Sequence, residues 1–77
     1  MVHVDIQVLD LETMEPIPKV KVMVESGTYF KKYYTDDKGM VRIYYPSNRS
    51  ATVYFHKKGY KDTKTRLKPA TEDYGYT

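Results

Sequence analysis

The chain has no cysteine and no tryptophan among its 77 residues. Disulfide staples, thiolate catalysis and cysteine-based zinc sites are therefore all closed to it. Histidine is scarce as well. His3 and His56 are the only two, and no His-x-His or His-x3-His spacing suggests a metal pair. No apolar run approaches the ~20 residues that a membrane-spanning helix needs. Residues 1–15 alternate and carry acids, unlike a signal peptide or a membrane span, so no membrane insertion is expected. No serine sits on a Gly-x-Ser-x-Gly elbow, which leaves nucleophilic catalysis without a local signature. No cofactor motif is present either, and the chain reads as a non-enzyme.

What the chain does have is strict alternation. Val2, Val4, Ile6 and Val8 share one parity, with His3, Asp5 and Gln7 between them. Val20, Val22 and Val24 repeat the pattern around Lys21 and Met23. A period of two places each set on one face of a strand, whereas a helix would scatter them, and β-branched side chains suit a pleated surface. Further alternating runs are Tyr29–Thr35, Met40–Tyr45, Ala51–Phe55 and a more polar stretch at Tyr60–Lys68. Ser26-Gly27, Asp36–Gly39, Pro46–Arg49 and Lys57–Gly59 supply turns between them. Pro16 and Pro18 are expected to interrupt any regular ladder between the first two strands, since proline has no N–H to pair. The sequence thus predicts one all-β domain over residues 1–68, a sandwich of six to seven short strands, followed by an irregular or edge-associated tail at 69–77. A domain this small buries a modest core and is expected to be stable by only a few kcal/mol.

Three signatures occur in order: Val8-Leu9-Asp10 with Glu15-Pro16-Ile17-Pro18-Lys19-Val20-Lys21-Val22, then Thr35-Asp36-Asp37-Lys38-Gly39-Met40-Val41-Arg42-Ile43, then Lys57-Lys58-Gly59-Tyr60. Over about residues 4–67 this resembles the carboxypeptidase regulatory-like domains of the transthyretin-like (prealbumin-like) superfold. One departure is Lys19, which stands where such domains usually have glycine. The resemblance implies an Ig-like, Greek-key β-sandwich without catalytic residues, serving as a folding support, a spacer, or an adhesive or sugar-binding unit. The catalytic relatives in that superfold, the hydroxyisourate hydrolases, carry a histidine just before Val-Leu-Asp and end in Tyr-Arg-Gly-Ser. Gln7 and Tyr74-Gly75-Tyr76-Thr77 occupy those places here.

Function is then expected to lie in contact. Nine tyrosines stand out, and in Tyr33-Tyr34 and Tyr44-Tyr45 one member of each pair must face away from the core. Such rings either stabilise a thin sheet by packing on lysine stems or anchor a partner. Charge is also uneven. Residues 1–30 hold five acids against two lysines, and residues 31–68 hold eleven Lys or Arg against three Asp. The primary expectation is a protein-interaction or structural module, with a protein partner or a homodimer, and with Tyr33, Tyr44 and Arg42 as contact residues. The alternative is a basic, tyrosine-rich binder of single-stranded nucleic acid or carbohydrate. Asp36 and Asp37, with Asp10 or Glu12, offer oxygens for calcium, but Asp-Asp-x-Gly is more often simply a turn.

Overall fold

A computed structural model describes residues 1–69. It contains six strands and no helix among these residues: β1 Val2–Gln7, β2 Lys21–Ser26, β3 Tyr29–Tyr34, β4 Met40–Tyr45, β5 Ala51–His56 and β6 Thr63–Leu67. β1 and β4 form one antiparallel sheet, and the other runs in the order β3-β2-β5-β6. The result is all-β and sandwich-like, with two sheets sharing one core.

Alternation decides what fills that core. Val22 and Val24 of β2, Val53 of β5 and Ile43 of β4 are fully buried. Ile17, Val20, Val41, Tyr45 and Ala51 complete the buried set, and Val2, Val4, Ile6, Val8, Phe55 and Leu67 pack around it. Most of these side chains are β-branched, so little rotamer freedom is lost when they are fixed. The register explains the grouping. Val24 pairs with Val53 and Val22 with Phe55, while Val4 pairs with Ile43 in the smaller sheet.

The chain passes from one sheet to the other before β2, before β4 and before β5, and the first two passages meet at Thr35. Its buried hydroxyl accepts from the Val20 N–H and donates to the Ile17 carbonyl, both at 2.8 Å. Its backbone adds the bonds Lys19 N–H to Thr35 O and Thr35 N–H to Val20 O. Pro18 supplies no donor in this stretch, so the side chain takes over part of the ladder's work.

The proline connection interrupts the ladder as expected: β1 and β2 lie in different sheets, and Leu9 and Pro16 form an isolated bridge, flanked by Ile17 N–H to Val8 O and Asp10 N–H to Glu15 O. One expectation is corrected here. The last strand begins at Thr63 rather than Tyr60, because Gly59 at φ +92° and a Tyr60 N–H to Lys57 O bond still belong to the turn. The first pair of that strand is Phe55 with Thr63. At the far end, Tyr45, whose partner across the ladder is Val2, donates its hydroxyl to the Lys68 carbonyl at 3.1 Å. The tail expected at 69–77 falls, apart from Pro69, outside the described residues.

Lys19 and Gly39 both have positive φ, at +57° and +72°. A Cβ on Gly39 would lie 2.6 Å from the Val8 carbonyl oxygen and 3.1 Å from the Ile17 nitrogen, both backbone atoms. Lys19 is exposed and already accommodates its Cβ. Opposite outcomes follow in denaturant titrations. Gly39→Ala is expected to cost about 2 kcal/mol or more, through strain plus collision. Lys19→Gly is expected to be neutral or to stabilise by up to about 1 kcal/mol, since glycine enters the left-handed region without penalty. Thr35→Val, which keeps the shape but orphans a buried N–H and a buried C=O, is expected to cost about 2–4 kcal/mol.

Candidate functional site

Three residues expected to make contacts, Tyr33, Tyr44 and Arg42, come close in space but do not form one open face. Arg42 and Tyr44 alternate with the buried Val41, Ile43 and Tyr45 on β4, so both point outward from the smaller sheet. Arg42 is engaged there with Asp5, its ladder partner, through Nε to Oδ1 at 2.8 Å and Nη2 to Oδ2 at 3.2 Å. That hydrogen-bonded guanidinium holds the Asp5 carboxyl below its ordinary range, and the same pair pushes Arg42 up. Tyr44 is 41% exposed and leans on His3, with ring centroids 5.7 Å apart.

Tyr33 turns the other way. It pairs with the buried Val22 and so faces inward from the larger sheet. Its hydroxyl accepts from the Tyr44 backbone N–H at 3.1 Å and lies 3.4 Å from the Tyr29 hydroxyl. The ring therefore ties β3 to the edge of β4. Burial, and then the hydrogen bond with Tyr33, push the Tyr29 phenol up to about 12.

The acidic turn is occupied by its own backbone. Asp36 accepts from the Met40 and Lys38 N–H groups at 2.9 and 2.8 Å, and these bonds, Met40 foremost, lower its carboxyl. Asp10 likewise accepts from Glu12 and Thr13. His3 and His56 lie on different sheets, and no cluster of three or more metal-ligating side chains exists among the described residues. No helix among them is long and apolar enough to cross a membrane.

The most exposed aromatic surface is the outer face of the four-stranded sheet. Phe30 and Tyr34 of β3 are 53% and 59% exposed. Register places Tyr34 beside Lys21 and His56, Lys32 beside Met23, Tyr54 and Lys64, and Phe30 beside Glu25, Thr52 and Arg66. Glu25 accepts from the Tyr54 hydroxyl at 3.2 Å, which fixes the ring and raises the phenol. His56 Nδ1 sits 2.7 Å from an Asp62 carboxylate oxygen. A shallow recess of about 290 Å³ opens between Met23, Tyr54, His56, Asp62 and Lys64. The signal for this face lies in the short Ser26–Tyr29 hairpin, which decides whether Tyr33 or Tyr34 meets the core. A one-residue slip there would exchange them.

Comparison with known protein families, with curated proteins and with solved structures finds no match for this chain. The faces themselves must therefore supply the functional argument.

The Tyr29 shift has a testable sign. A phenol raised in the folded state adds stability that is complete below its unfolded value of 10.0 and is lost as pH climbs from there through about 12. Chemical denaturation at pH 9 and at pH 11.5 is expected to show an alkaline loss that Tyr29→Phe reduces. Equal losses in the two proteins would assign the effect to other groups.

Proposed function

We propose that this chain is a non-catalytic, Greek-key β-sandwich module of the transthyretin-like, carboxypeptidase regulatory-like kind. It acts by contact, in protein–protein interaction or structural support, and the outer face of its four-stranded sheet is the working surface. Support for the family reading comes from three places. The strand order β1-β4 and β3-β2-β5-β6 requires repeated passage between sheets. Lys19 adopts the left-handed backbone at the position where such domains usually place glycine. Asp36 closes the turn before β4 with its own side chain.

The observation that carries the contact reading is the exposure of Phe30 and Tyr34. Two large rings stand in solvent on one face, in a domain whose core closes without them. Aromatic rings of this kind are the usual anchors of an interface. A second reading, binding of single-stranded nucleic acid or carbohydrate, is favoured by the lysines and the arginine interspersed on the same face.

A double variant, Phe30→Ala with Tyr34→Ala, tests whether these rings serve contact or folding. Since both are exposed, its unfolding free energy is expected to fall by no more than about 0.5 kcal/mol per site. A loss of about 2 kcal/mol or more would make the rings part of the fold's own packing and overturn this face as a contact surface.

A further inference from the structure

Charge on the two outer faces is arranged differently. On the smaller sheet the cation Arg42 is spent on Asp5. On the larger sheet Lys21, Lys32, Lys64 and Arg66 share the face with two carboxylates, Glu25, which accepts from Tyr54, and Asp62, which sits against His56 at the end of β5. No ion pair joins any of these four cations to a carboxylate among the described residues, and Arg66 instead donates to the Ser50 hydroxyl at 3.1 Å. Lys21 is half-buried, and the other three are exposed. Positive charge without a carboxylate partner thus lies between the rings.

The rings themselves are spaced. Phe30 and Tyr34 are four residues apart on β3, or roughly 13 Å along the strand. Tyr54 stands two strands away, level with Lys32 midway between them, which puts it roughly 12 Å from each. Bases stacked on one another advance only ~3.4 Å per nucleotide, so no two of these rings can seat neighbouring stacked bases. A strand whose bases are already unstacked can spread one base onto each ring, with its phosphates over the intervening lysines.

We infer that the outer face of the four-stranded sheet binds single-stranded nucleic acid in an unstacked form, with Phe30, Tyr34 and Tyr54 as base platforms and Lys32, Lys64 and Arg66 as phosphate contacts. The inference rests on the second reading of this face, as a binder of single-stranded nucleic acid, and it assigns the residues and the form of the strand. The face is antiparallel, and its rings are presented among cations, which is the arrangement that sequence-tolerant stacking requires. The recess beside Tyr54 adds edge recognition. His56, Asp62 and Lys64 line it with donors and acceptors around an aromatic wall. An acidic protein segment would satisfy the lysines, but it would need apolar side chains at the same wide spacing to engage the rings.

The test is an anisotropy titration of the full chain with a labelled oligothymidylate of about 15 nucleotides, at about 50 and 200 mM salt. Saturable binding is expected, weakening with salt at a slope of about −2 for three phosphate contacts. Oligothymidylate should bind more tightly than self-stacking oligoadenylate, and duplex should bind weakly. Phe30→Ala and Tyr34→Ala should each lower affinity at least about fivefold. Lys32→Gln should reduce the slope by about 0.7. Absence of binding at the lower salt would overturn the inference. So would binding that ignores the ring substitutions and is matched by polyglutamate, a result that points to an acidic protein instead. If the variants remain folded yet no oligonucleotide binds, only the partner is wrong. If the ring variants unfold, the contact face itself fails.

Discussion

The fold depends on how the chain changes sheets, and Thr35 is where that problem is solved. Each passage between layers takes backbone out of a ladder and buries polar groups that need partners. The stretch from Ile17 to Val20 is the harder case, because Pro18 brings no N–H and Lys19 is in a left-handed conformation. Thr35, at the end of β3, answers with its hydroxyl and its peptide group together. The entry to β2 and the exit from β3 become one joint. Either passage alone would leave buried donors or carbonyls empty, so the two sheets are coupled through chemistry as well as through the valine core.

Tyrosine does a second kind of joining. Tyr33 reaches from β3 to the backbone of Tyr44, and Tyr45 reaches from β4 to Lys68. In both, the ring contributes apolar area while the hydroxyl meets a main-chain group at the margin of the core. Part of the tyrosine excess is therefore structural. Phe30, Tyr34 and Tyr54 face outward on the larger sheet, and Tyr44 and Tyr60 are exposed elsewhere, so these rings remain for contact. The lysines of β3 and the cations of β6 also stand on the two edge strands of the larger sheet, where charge discourages edge-to-edge pairing.

The strands were legible because alternation of β-branched residues has one structural meaning, and the turns because Asp36 and Gly39 act locally. The faces were harder to read. Tyr33 and Tyr34 are indistinguishable by composition, and only the register of the β2–β3 hairpin separates them. Arg42 looked available as an exposed cation, but its partner Asp5 lies 37 residues away and meets it only through the β1–β4 ladder. The late start of β6 escaped for a related reason. Tyr60, Lys61 and Asp62 have side chains that a strand accepts, yet the turn after Lys57 is still closing through the Tyr60 N–H.

The position of Tyr45 has a mechanical consequence. Its backbone pairs with Val2 at the beginning of the domain, and its hydroxyl holds Lys68 near the end of the described chain. Val2 and Lys68 are thus gathered at one corner through a single residue. A load applied between Val2 and Lys68 would fall first on the Tyr45 backbone pairing and its hydroxyl bond, before it reached the valine core.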